Sequence, residues 1–139
     1  MVGRANILIV EDLKAISSVI KILLTHHGYT VSAVVTTGEE AVDAVKSQHV
    51  DLVVMNIRLM GDVDGITAAE TIREFSSVPI IFSTGYDTDD VMKRAAHARP
   101  SDYLIKPYTC DRLLDAIRDS LAGLRGKTTQ GWGSMKIPW

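Results

Sequence analysis

The sequence predicts an α/β fold, a doubly wound parallel sheet of five strands with a helix after each. Two observations carry this reading. Short β-branched apolar runs recur along the chain, and the stretches between them repeat apolar residues every three or four positions. Strands and helices alternating at this spacing form a parallel sheet covered on both faces, because each right-handed crossover lays an apolar helical stripe on the sheet. Size agrees: 139 residues, 46% of them hydrophobic, suit one domain with its own core and leave no room for two.

The first apolar run is Ile7–Val10, followed by a helical stripe of Leu13, Ile16, Ile20, Leu23 and Leu24. Gly28 stands where that helix would end in the left-handed conformation. The second run, Val31–Val35, leads to Thr37 and Glu40 at capping-box spacing and a stripe of Ala41, Val42 and Val45. After Leu52–Met55, Asp64 is a candidate cap for a helix carrying Ile66, Ala69 and Ile72. After Val78–Phe82, Asp87 and Asp90 resemble a capping box ahead of Val91, Met92 and Ala95. The last run is Tyr103–Ile105, and its helix carries Leu113, Ile117, Leu121 and Leu124. Residues 1–124 are therefore expected to form the domain. Residues 125–139, with Gly126, Gly131, Gly133 and Pro138 and no sustained period, are expected to be a flexible tail, although Trp132, Ile137 and Trp139 are apolar enough to dock.

Composition excludes several classes. Fifteen basic against 17 acidic residues leave no basic footprint for non-specific nucleic-acid binding, so no direct nucleic-acid partner is expected. No apolar run approaches a membrane span, and Met1–Val10 lacks the pattern of a signal peptide. A cytoplasmic location without a membrane partner follows as the expectation. The single cysteine, Cys110, excludes an internal disulfide framework and a cysteine-cluster zinc site.

Ligands of open parallel sheets bind beyond the carboxyl ends of the strands. The first run ends in Glu11-Asp12, the third in Asn56, the fourth in Ser83-Thr84-Gly85 and the fifth in Lys106-Pro107. Taken singly, each has an ordinary explanation: Asp12 as a cap for the first helix, Thr84 as a turn hydroxyl, Lys106 as a solvated lysine. Together they form an oxygen-rich site suited to Mg²⁺ and a phosphoryl group. The first turn lacks the glycines of a dinucleotide fold and the Gly-Lys-Ser/Thr ending of a P-loop.

These residues give the chain a close resemblance, over about Asn6 to Leu124, to the receiver domain of bacterial and archaeal two-component response regulators. Its carriers are Ile7-Leu-Ile-Val-Glu-Asp12, Asp51-Leu-Val-Val-Met-Asn-Ile-Arg-Leu59, Asp64-Gly65-Ile66, Pro79-Ile-Ile-Phe-Ser-Thr-Gly85 and Asp102-Tyr-Leu-Ile-Lys-Pro107. The resemblance implies the flavodoxin-like (βα)5 fold of chemotaxis regulators, with strand order 2-1-3-4-5. It implies that Glu11 and Asp12 hold Mg²⁺, with the backbone carbonyl of Arg58 as a further ligand. Lys106 would pair with phosphoryl oxygens, and Thr84 would be the hydroxyl that moves to bond the phosphoryl group. Gly85 would leave phosphodonors room, and Tyr103 would be the aromatic that changes rotamer between inactive and active states. Lys106-Pro107 would be cis.

Asn56 departs from the family, which has the phosphoacceptor aspartate there. An amide is a poor nucleophile and brings no charge to the metal, so phosphotransfer is not expected and Mg²⁺ binding should weaken. Two origins compete, a natural receiver that signals without phosphorylation and a deliberate change that locks the unphosphorylated state. The intact remainder of the site favours a deliberate or recent change. Asp62 and Asp64 are poor alternative acceptors, since the rest of the site would be aimed at position 56.

The implied partners are a sensor histidine kinase or phosphotransfer protein and a downstream protein target, the latter meeting the face of the fourth helix, fifth strand and fifth helix. A monomer or weak homodimer is expected, and fifteen residues after Leu124 are too few for an output domain. Two other functions compete with this reading, a pseudo-receiver acting as a phosphorylation-independent binding module and a small metal-dependent phosphatase. The absent nucleophile and absent substrate cap count against the second. His26 and His27 read as a solvated helix end, His49 and His97 show no partner at metal-ligand spacing, and Cys110 reads as packing.

Overall fold

The computed structural model describes residues 5–85 and 88–123. Five strands alternate with five helices: β1 (Asn6–Val10), α1 (Lys14–His26), β2 (Thr30–Val35), α2 (Gly38–Ser47), β3 (Leu52–Asn56), α3 (Gly65–Arg73), β4 (Ile80–Thr84), α4 (Asp89–His97), β5 (Asp102–Ile105) and α5 (Cys110–Leu121). All pairings are parallel and the sheet order is β2-β1-β3-β4-β5. This is the flavodoxin-like, doubly wound arrangement.

Strand alternation divides the core in two. Leu8, Val10, Val53, Met55, Ile80 and Phe82 face α2, α3 and α4, where Ala41, Ile66, Ile72 and Met92 meet them. Ile7, Ile9, Leu52, Val54, Ile81 and Leu104 face α1 and α5, against Ile20, Leu24, Leu113 and Ile117. Central strands buried on both faces must be apolar throughout. That is why β3 and β4 read as continuous runs in the sequence.

Several boundaries follow the local chemistry expected of them. Gly28 ends α1 at φ 90°, while the Tyr29 N–H donates to the Leu24 carbonyl at 3.0 Å. Thr37 and Glu40 close a reciprocal capping box on α2, and Asp64 accepts from the Thr67 N–H at 2.8 Å to cap α3. Other expectations are corrected. α1 is preceded by Leu13, which offers no side-chain cap. Asp12 therefore lies one residue too early to reach the first free N–H groups, and Leu13, expected on the buried stripe, is 56% exposed. α4 is capped by Thr88, whose hydroxyl accepts from the Val91 N–H. β4 begins at Ile80, two residues into the Val78–Phe82 run, because Val78 is buried in the approach to the strand. Asp87, Leu124 and the expected tail lie outside the described residues.

Asp64 also joins α3 to α4 through Arg94 Nη1 at 3.0 Å. Burial pushes its carboxyl up, but the Thr67 N–H and the Arg94 guanidinium outweigh burial and hold the pKa below the ordinary value. A carboxylate so lowered stabilises the fold above its unfolded pKa and loses that contribution as pH falls through the folded one. Asp64→Ala is expected to lower the unfolding free energy by about 1 kcal/mol at neutral pH. In urea titrations the gap between the two proteins should narrow below about pH 4.

Candidate functional site

Parallel register brings the strand ends together. Val10 pairs with Met55, Asn56 with Ser83 and Thr84 with Ile105, so the residues after β1 and β5 and the last residues of β3 and β4 share one sheet edge. Glu11 and Asp12 follow β1, Asn56 and Thr84 close β3 and β4, and Lys106 follows β5. The Lys106-Pro107 peptide bond is cis.

At this edge the Lys106 ammonium donates to Asn56 Oδ1 at 2.9 Å and to Glu11 Oε1 at 3.2 Å. The other Glu11 oxygen accepts from the Leu13 N–H at 3.1 Å. Asn56 Nδ2 in turn donates to the Arg58 carbonyl at 2.6 Å. Both ends of the amide are thereby committed, and the orientation is fixed by chemistry. A flipped amide would set N–H against the ammonium and oxygen against the carbonyl. Glu11 and Asn56 are 3% and 7% exposed. A charge so far out of water needs a partner, and Lys106 supplies it to Glu11.

Thr84 is almost fully buried, and its carbonyl accepts from the Lys106 N–H at 2.7 Å. A side-chain carbon placed on neighbouring Gly85 would meet nothing within 4 Å among the described residues. Tyr103 is buried, edge-on to Phe82 with ring centroids 6.3 Å apart. Next to it, Asp102 takes a bidentate pair of hydrogen bonds from Arg112, at 3.0 and 3.2 Å, which ties β5 to α5. Glu11 and Asp12 line a cleft of about 360 Å³ with Lys14, Ser17, Lys21 and Thr36.

Two carboxylates and a backbone carbonyl are the hard oxygen donors that Mg²⁺ takes, so Glu11, Asp12 and Arg58 fit that ion in kind. The set is small. Among the described residues no group of three or more His, Cys, Asp or Glu side chains is placed to share a metal. The Arg58 carbonyl already accepts the Asn56 N–H.

One residue at this edge, Tyr108, has no place in the sequence reading, and another, Gly65, enters it only as part of a motif. Tyr108 shares a hydrogen bond of 3.2 Å with Ser83, and burial pushes its phenol pKa up. Gly65 packs the start of α3 against the end of β3, where an added side-chain carbon would collide with the Asn56 carbonyl. The signal was the Gly after the Asp64 cap, which the sequence leaves looking like helix punctuation. At the other end of β3, His49 Nε2 lies 3.0 Å from Asp51 Oδ1.

A family model for the response regulator receiver domain matches residues 7–118. The chain belongs to this family. The receiver is 38% identical over 118 residues to the transcriptional regulatory protein YvrH of Bacillus subtilis, covering 85% of this chain and 49% of YvrH. It is 34% identical to the chemotaxis protein CheY of the same organism, covering 84% of this chain and 97% of CheY. The chain thus spans about half of YvrH and nearly all of CheY. Among solved structures, the receiver domain of sensor histidine kinase PA1611 from Pseudomonas aeruginosa PAO1 superposes with a TM-score of 0.78 and 30% identity, covering 86% of this chain and 98% of that one. That domain has a magnesium ion coordinated in its active site cleft.

The tight approach at Gly65 predicts that Gly65→Ala lowers stability by about 1–3 kcal/mol through overpacking against β3. Gly85→Ala, which meets no such contact among the described residues, should change stability by less than about 0.5 kcal/mol. Thermal unfolding of the two variants beside the parent protein measures both.

Proposed function

We propose that this receiver is a protein-interaction switch of a two-component phosphorelay, held unphosphorylated by Asn56. The observation that carries the proposal is the commitment of the Asn56 amide, with oxygen to Lys106 and nitrogen to the Arg58 carbonyl. Phosphoryl transfer at this position requires an oxygen with a free, charged lone pair. An amide oxygen is neutral, and its nitrogen lone pair is delocalised into the carbonyl. Glu11, Asp12, Thr84 and Lys106 retain the roles of cation ligands, phosphoryl-bonding hydroxyl and phosphoryl-pairing cation, around a position that cannot accept the group.

Two carboxylates where the family supplies three anionic ligands give a weakened Mg²⁺ site. Phosphorylation works in such domains by population shift, stabilising an arrangement that the free domain visits as a minor state. With Asn56 the chain rests in the inactive arrangement. The kinase or phosphotransfer protein is its upstream partner, and the downstream protein meets the α4, β5 and α5 face that contains Tyr103.

Incubation with acetyl phosphate and Mg²⁺, followed by intact-mass measurement, tests this reading. The chain is expected to gain no phosphoryl group, and Asn56→Asp to gain one. Stable phosphorylation of the parent protein at position 56 would overturn the proposal. So would an unreactive Asn56→Asp variant that is folded, since the remaining site would then be incompetent for another reason.

A further inference from the structure

The edge of the sheet opposite the Lys106 site holds a second polar cleft, of about 250 Å³. It is lined by Arg73, Ser77, Arg99, Ser101, Ser120 and Gly123. These residues close α3, precede β4, lead into β5 and end α5, so four connections converge there. Two arginines and three serines line the cleft, and no carboxylate is among the described residues lining it.

Neither arginine has a carboxylate partner among the described residues. Arg73 donates to four backbone carbonyls, of Ala98, Ser76, Val78 and Arg99. A guanidinium has five N–H groups, so one donor and the full positive charge are left over. The four carbonyls answer the hydrogen bonds but not the charge. Burial, and then the like charge of Arg99, lowers the Arg73 pKa to about 10. Arg99 itself is held at φ 52°, a backbone conformation uncommon for a side chain of its size, and is exposed to solvent. Independently, Ser120 is 4% exposed, and its hydroxyl has no hydrogen-bond partner among the described residues. A buried hydroxyl left without a partner costs free energy that a ligand can recover.

We propose that this cleft is an anion site for a phosphate dianion, either inorganic phosphate or the phosphate group of a small phosphomonoester. Arg99 pairs with the phosphate oxygens, the free Arg73 N–H and the Ser77, Ser101 and Ser120 hydroxyls donate to them, and the dianion relieves the repulsion between the two arginines. Guanidinium groups suit planar recognition of phosphate oxygens, and hydroxyls supply further donors around a tetrahedral ion. Helix carbonyl ends converge nearby and oppose an anion, but Arg73 covers four of the carbonyls in this region. The site lies across the sheet from Asn56 and does not depend on phosphoryl transfer there.

Amide NMR of the ¹⁵N-labelled chain, titrated with sodium phosphate at constant ionic strength and separately with glycerol phosphate, tests the proposal. Saturable shifts at Ser77, Ser101 and Gly123 are expected, and the tighter of the two ligands identifies the source of the phosphate. Arg99→Asn keeps a residue that tolerates positive φ and should weaken binding about tenfold. Ser120→Ala should weaken it several-fold while leaving the melting temperature unchanged or raised, because the hydroxyl it removes is unpaired. Shifts that fail to saturate, that cluster at Glu11 and Lys106, or that survive Arg99→Asn unchanged would overturn the site.

Discussion

The Lys106 ammonium meets both the buried Glu11 carboxylate and the Asn56 amide. It bonds Glu11 after β1 and Asn56 at the end of β3 from its own place after β5. The arrangement rests on the parallel sheet, because parallel register sets all the strand ends on one edge. Without Lys106, Glu11 would be a carboxylate out of water with a single backbone N–H, and its burial would be costly. The position of Lys106 is fixed by β5, and β5 is fixed in turn by the Asp102–Arg112 pair and by Tyr103 packing on Phe82. The chemistry of the edge and the packing of the α4, β5 and α5 face are thus parts of one structure.

The Asn56 amide is bonded on both sides at this edge. A carboxylate at position 56 would add a third carboxylate to Glu11 and Asp12 and face the Arg58 carbonyl without a proton to offer. The amide supplies that proton. It bonds the carbonyl that the family resemblance assigns to Mg²⁺ and still presents an oxygen to Lys106. In this account the N–H of Asn56 does part of the structural work of a cation.

Much of this was legible from sequence, and the reasons differ by element. Central strands buried on both faces declare themselves as unbroken apolar runs, and Thr37–Glu40, Asp64 and Gly28 are local signals that depend on nothing distant. Leu13 was misplaced because the chain turns over Glu11 and Asp12 before the helix starts, a consequence of where those carboxylates must sit. Thr88 was missed because three neighbouring polar residues can each cap a helix, and sequence alone does not choose among them. The strand-end residues could be grouped from topology alone. The bond from the Asn56 amide to the Arg58 carbonyl, the close approach at Gly65, and the pairing of Ser83 with Tyr108 depend on side-chain placement across 2 to 25 residues, and no local pattern encodes them.

The central claim, that the Asn56 amide closes the edge in place of a cation, is tested most directly by chemical unfolding of the parent chain and Asn56→Asp with and without Mg²⁺. The account predicts that the parent midpoint barely responds to millimolar Mg²⁺. Asn56→Asp should be the less stable of the two without the ion and should gain stability as Mg²⁺ is added, as binding linkage requires. An equal Mg²⁺ response in both proteins, or a metal-free Asn56→Asp as stable as the parent, would contradict it.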